Sequence, residues 1–233
     1  MDVVATWQAL GAVQPEPPAT VVALAAFVAG AGVLLPQAWR WTRHVVTIAH
    51  EGAHGVVALL TGRRLAGIRL HNDTSGVTVS VGPRTGPGMV AMLAAGYTGP
   101  ALLGLGGALV LSTGRVTLLL WGLLLALALL LVQIRNWFGL LPVLATGAAV
   151  LAVTFWTPAE TQQGFAHTLV MFLLLAAPRP VLELQAKRAG RQARDSDADQ
   201  LARLTHVPGL VWVGLFLLVT LGALAFGATV LVR

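Results

Sequence analysis

Two histidines flank a glutamate in the run His50-Glu51-Gly52-Ala53-His54, the pattern HExxH. On a helix, residues four apart share one face, so both imidazoles can bind a single Zn²⁺. Glu51 then falls beside the metal as general base on a bound water. Zinc lowers the pKa of such a water to about 7, which makes a nucleophile at neutral pH. The residues around the motif are apolar, reading TIAHEGAHGVVALLTG from Thr47 to Gly62. Ionisable groups are costly in hydrocarbon, and inside a membrane span they mark functional sites by default. A bound metal would offset the cost of burying its ligands.

The elements that must position this motif are membrane helices. Of the 233 residues, 56% are hydrophobic and 10% charged, against about a quarter charged in soluble domains. Apolar runs of about 20 residues, the length that crosses a bilayer, recur along the chain. They predict an all-α polytopic membrane protein of about six to seven transmembrane helices. Candidate spans lie at 20–39, 43–61, 88–111, 116–134, 138–157, 164–184 and 208–232, the fifth interrupted by Gly139, Pro142, Thr146 and Gly147. Residues 20–233 read as one transmembrane domain after a tail over 1–19, which has no basic region like that of a cleaved signal peptide. The absence of cysteine excludes disulfides, thiolate catalysis and cysteine metal sites.

The net charge of +6 does not indicate nucleic acid, because the basic residues fall between the spans. There they set topology and meet the head groups of the lipid bilayer. With seven spans, Arg63, Arg64, Arg69, Arg84, Arg135, Arg179, Lys187, Arg188, Arg191, Arg194 and Arg203 share one side. Arg40, Arg43, Arg115 and Arg233 share the other. The positive-inside rule then predicts a cytoplasmic N-terminus. The alanine-, glycine-, leucine- and arginine-rich composition points to a GC-rich bacterial genome, and the expected location is the bacterial plasma membrane.

Two segments lie outside the spans. Residues 63–87 alternate, with Ile68 and Leu70, then Val77, Val79 and Val81, around the turn HNDTSG. That pattern predicts a membrane-associated β-hairpin after the second span. An edge strand there could hold an unwound substrate by strand addition. Residues 185–207 form a basic, then acidic, loop with a helical turn.

HEGAH in an early span, the turn LTGRRLAGIRL into a hairpin with Gly76 and Thr78, and AAGYTGPALLG from Ala94 to Gly104 together resemble the site-2 protease family of intramembrane zinc metalloproteases. The likeness is to its small bacterial peptidase-like branch and runs from about Arg43 to about Phe216. It implies hydrolysis of peptide bonds in single-span membrane proteins, with His50 and His54 on zinc and Glu51 as base. The family's third ligand is an aspartate in an Asn-Pro…Asp-Gly segment. Here RNWFGLLPVLATG keeps Asn136, Pro142 and Gly147 but has Thr146 in place of that aspartate.

Among the other carboxylates, Asp2 and Glu16 lie in the tail, Glu160 on the far side and Asp73 in the hairpin turn. Glu183 is expected to pair with Lys187 one helical turn on. That leaves Asp195, Asp197 and Asp199 in RDSDADQLARLTHVP, residues that would equally suit a helix N-terminus. The resemblance favours Asp197, because a Ser-Asp-Ala segment before the last span recurs in the small branch. His71 is a lesser candidate, and His44, His167 and His206 read as interfacial or structural. Asn136 is a candidate catalytic residue, its amide placed to bind substrate backbone or a developing oxyanion; the alternative is a capping or interhelical contact. The missing Asn-Pro…Asp-Gly aspartate keeps a second function open, an inactive scaffold that binds membrane helices. A metal transporter has less support, since few other ionisable groups lie within spans.

Overall fold

The computed structural model describes residues 11–71, 73–190 and 195–232. The first ten residues of the expected tail, and Arg191, Arg194 and Arg233 of the charge balance, lie outside the described residues. The elements run α1 (Ala19–Leu34), α2 (Pro36–Leu60), β1 (Arg64–Leu70), β2 (Gly76–Val81), α3 (Pro87–Leu111), α4 (Val116–Gln133), α5 (Trp137–Trp156), α6 (Ala159–Ala176), α7 (Pro178–Ala189), α8 (Asp197–Thr205) and α9 (Gly209–Leu231).

Among the described residues, five stretches are long and apolar enough to cross a membrane: α3, α4, α5, α6 with α7, and α9. A sixth arises if α1 and α2 form one span bent by 98°. The two spans expected at 20–39 and 43–61 are the halves of that bent pair. Pro36 opens α2 and holds Leu35 extended, at φ −77° and ψ 122°, as a residue before proline prefers. A break in an apolar setting leaves carbonyls without partners. Here Thr42 Oγ1 donates to Gly32 O at 2.8 Å, and the Arg179 guanidinium donates to Val33 O. Arg179 also stacks over the Trp39 ring, 4.4 Å from its centroid. The expected break in the fifth span does not occur, and α5 runs through Pro142 without interruption.

The helices pack through small residues. Gly107 faces Val170 and Gly104 faces Leu174, which brings α3 against α6, as is usual where lipid supplies no hydrophobic drive between helices. Ala101, Ala108, Leu120, Val170 and Leu174 are central to the buried cluster at this crossing. A second cluster joins Leu93 of α3, Val181 and Leu184 of α7, and Val213 and Phe216 of α9. Ala198 and Leu201 of α8 are buried in it, so this short helix is docked on the membrane bundle.

The hairpin forms where the alternation placed it. β1 and β2 are antiparallel, with Leu70 opposite Gly76 and Ile68 opposite Thr78. The buried Ile68 and Leu70 pack on Ile48, Ile134 and Val143. The outer edge of β1 is covered by the α4–α5 turn, where Arg135 N donates to Ile68 O at 2.9 Å. Asn136 continues this pairing, accepting from Leu70 N at 3.2 Å and donating to Leu70 O at 2.6 Å. At the opposite end of α3, Gln14 N donates to Gly114 O at 2.9 Å, and Gln163 Nε2 donates to Pro15 O at 2.8 Å.

Candidate metal centre

The HExxH run occupies the middle of α2, and its helical spacing turns His50 and His54 to one side. Their Nε2 atoms lie 3.1 Å apart. The backbone of α3 passes directly over them. A methyl group on Gly96 would stand 2.6 Å from His50 Nε2, so only glycine leaves room there. His54 Nδ1 is 2.7 Å from Met92 O. Donation to that carbonyl fixes the proton on Nδ1 and turns the Nε2 lone pair toward His50 and Asp197.

Asp197 reaches the histidines from the first turn of α8. Its Oδ2 is 3.3 Å from each Nε2. One ligand atom from each of His50, His54 and Asp197 falls within a 4.8 Å span, and these three could hold a metal ion. Two imidazoles and a carboxylate, with a further position left open, are the donor set of catalytic zinc sites. The residues present therefore fit the ion that the pattern implies. Burial opposes charge on the Asp197 carboxyl, yet hydrogen bonds from His50 and His54 hold it well below the usual carboxylate range.

The neighbouring aspartates do other work. Ser196 caps α8, and Asp199 completes the capping box, accepting from Ser196 Oγ at 2.6 Å and Ser196 N at 3.3 Å. Asp199 also pairs with Arg188 at the end of α7. Asp195 pairs with Arg203 at 2.9 Å on the exposed side. Helix capping and ligand supply, posed as alternatives for this cluster, are divided among its members.

Glu51 is 3% exposed and lies under the hairpin. Thr78 Oγ1 donates to its Oε2 at 2.6 Å. Gly76 allows the contact, since a methyl group there would sit 2.5 Å from Glu51 Cγ. A cavity of about 1060 Å³ opens over these groups, bordered by β2 along Gly76–Val81 and by Tyr97. Tyr97 meets the His50 ring edge to face at 4.8 Å and stacks on Phe216 at 5.2 Å.

Several expected partners stand elsewhere. Asn136 is not among the residues that line the cavity over the histidines. It sits at the start of α5 yet caps nothing in that helix, because its amide is spent on the Leu70 backbone. His71 stays at the hairpin tip, 3.2 Å from Ser75 Oγ. Glu183 binds Arg43 at 3.2 Å, Arg179 at 3.3 Å and Trp39 Nε1 at 3.1 Å, not Lys187. His44 is half-buried with Nδ1 near Trp41 O, and His167 is buried with Nδ1 on Gln163 O. Thr78, Tyr97, Gly96 and the Met92 carbonyl have no role assigned from the sequence, where Thr78 and the run GYTGP enter only through the family resemblance.

Residues 21–227 match the model of the family described as Peptidase M50B-like. No curated protein and no solved structure matches the chain. The match spans nearly all of a polytopic helical chain in which an HExxH helix meets a distant carboxylate. This integral membrane protein belongs to the peptidase M50B-like family, among the site-2 proteases.

Proposed function

We propose that the protein is a zinc metalloendopeptidase that hydrolyses peptide bonds of single-span membrane proteins. The observation that carries this reading is the meeting of His50 and His54 with Asp197, a residue distant in sequence, beside the buried Glu51. His50, His54 and Asp197 would hold the ion. When bound, zinc acidifies water and polarises a carbonyl. Glu51 takes a proton from the attacking water, and Thr78, by occupying Oε2, leaves Oε1 for that proton. The water oxygen bonds to the scissile carbon, and the carbonyl π pair moves onto its oxygen. Glu51 then passes the proton to the amide nitrogen as the carbon–nitrogen bond breaks. The edge of β2, beside the cavity, would hold the unwound substrate strand, since the edge of β1 is already covered.

The setting we propose is a bacterial plasma membrane, with the hairpin and α8 on the cytoplasmic face, the side to which the positive-inside rule assigns the more basic loops of the sequence. The expectation of a cytoplasmic N-terminus depended on seven spans. With α1 and α2 as one bent passage, the same rule puts residues 13–15 on the opposite face. Their bonds to Gly114 and Gln163, at the end of the bundle away from the hairpin, support that placement.

The scaffold alternative drew on the missing Asn-Pro…Asp-Gly aspartate, and a carboxylate beside both histidines removes that motive. The deciding test is cleavage of a single-span alanine–leucine peptide in detergent by wild type and Glu51→Gln. Zinc in both with cleavage only by wild type is expected. Cleavage by Glu51→Gln at the wild-type rate, or none by a zinc-loaded wild type, would overturn the reading.

A further inference from the structure

Hydrolysis of an amide puts negative charge on the former carbonyl oxygen, and a preorganised donor aimed at that oxygen is often the largest single catalytic contribution. Most side-chain donors around the cavity are engaged. Arg43 serves Glu183, and Arg63 serves Ser80 Oγ and Pro83 O. Thr78 serves Glu51, Thr47 serves Thr74 O, and Gln200 serves the Asp195 carbonyl. Arg84 and Lys187 are exposed, where a hydrated cation gives little directional stabilisation.

Tyr97 is the exception. It follows Gly96, the residue packed against both ligand imidazoles, and it lines the cavity with His50, Glu51, His54 and Asp197. Its ring is pinned between the edge of His50 and the face of Phe216. Its hydroxyl has no hydrogen-bond partner among the described residues, and the half-buried ring lines the cavity. A rigid phenol with an unused donor beside the ligand cluster is built to meet a group that arrives with the substrate.

We infer that Tyr97 is a catalytic residue whose hydroxyl donates a hydrogen bond to the oxyanion of the tetrahedral intermediate. This rests on the endopeptidase reading. Tyr97 keeps its proton throughout; the proton taken from water travels by Glu51. The carbonyl π pair that moves to oxygen on attack returns when the carbon–nitrogen bond breaks, and the hydrogen bond shortens and relaxes with it.

The chain has one tyrosine, so 3-fluorotyrosine places a single ¹⁹F label on this ring. The probes are the single-span alanine–leucine peptide and a phosphinic peptide of leucine and alanine, whose tetrahedral oxygens mimic the intermediate. Tyr97→Phe keeps both ring contacts and removes only the hydroxyl. The expected result is unchanged zinc content, KM near wild type, and kcat lower by about 10²–10³-fold. The phosphinic peptide should bind Tyr97→Phe more weakly than wild type and shift the ¹⁹F resonance of labelled wild type. Wild type that cleaves while Tyr97→Phe matches it in kcat overturns the assignment of Tyr97 alone. A zinc-loaded wild type that cleaves nothing, yet binds the phosphinic peptide with a ¹⁹F shift and loses affinity in Tyr97→Phe, overturns the endopeptidase reading and leaves the Tyr97 contact standing. Phosphinic peptide bound without a shift, or equally well by both proteins, overturns the contact.

Discussion

The Thr78 hydroxyl lies 2.6 Å from Glu51 Oε2 and so ties the middle of β2 to the carboxylate of the HExxH helix. A hydrogen bond to a charged group contributes about 1.5–3 kcal/mol. Thr78→Val, close in shape, should lower kcat by about 10- to 100-fold with zinc content unchanged. Thr78→Ser should recover most of that loss. Steady-state kinetics beside metal analysis checks the pair, and a Thr78→Val enzyme that has lost its zinc would contradict the assignment.

The three aspartates around α8 should separate cleanly. Asp197→Ala removes a ligand and should abolish stoichiometric zinc binding. Asp199→Ala leaves the ligand but loosens the helix that carries it, through Ser196 and Arg188. Loss of such supporting contacts weakens metal affinity by about 10- to 100-fold. Asp195→Ala should bind zinc as wild type does. Competition with a zinc-responsive chelator measures all three, and equal losses in the three would remove Asp197 from the site.

Two glycine substitutions should fail in different ways. Gly96→Ala pushes a methyl group onto the His50 and His54 Nε2 atoms, whereas Gly76→Ala pushes one onto the Glu51 side chain. The first should lose zinc. The second should keep zinc and lose cleavage. Metal content and peptide hydrolysis on the same preparations tell them apart, and zinc retained at wild-type affinity in Gly96→Ala would contradict the close approach.

Asn136 gives a stability prediction. Its amide stands in for a neighbouring strand at Leu70. Asn136→Ala leaves Leu70 N and O without partners, at a cost of about 1–3 kcal/mol, and should speed hydrogen exchange at the end of β1. The helices should exchange as before. Exchange at Leu70 unchanged, with zinc and kcat both reduced, would return Asn136 to the reaction.

Much of this was legible from the chain because the signals were local. HExxH fixes two imidazoles on one helical face whatever surrounds them. Alternation around the turn HNDTSG fixes the hairpin, and apolar runs mark the membrane passages. What escaped was set by contacts between distant segments. The bend at Leu35 has a proline to mark it, but Thr42 and Arg179 are what make a broken helix tolerable there, and they pair with it only in three dimensions. Glu183 had a plausible partner one turn away in Lys187, yet Arg43 and Trp39 of α2 bind it instead. Asp195, Asp197 and Asp199 are alike in sequence, and only the docking of Ala198 and Leu201 decides which of them faces the histidines. Asn136 belonged to a recognisable segment, but the strand that claims its amide lies far back in the chain.

The division of the ligand cluster between α2 and α8 also sets when it can exist. His50 and His54 enter the membrane early in synthesis, while Asp197 follows after four further passages. A nascent chain therefore carries both histidines through the translocon with the cluster incomplete. It cannot acquire the three-ligand site until α8 has emerged and docked on α7 and α9. On the proposed function, hydrolysis would thus be deferred to nearly the last step of biogenesis, and a chain stalled or truncated before α8 would lack the carboxylate that completes the cluster.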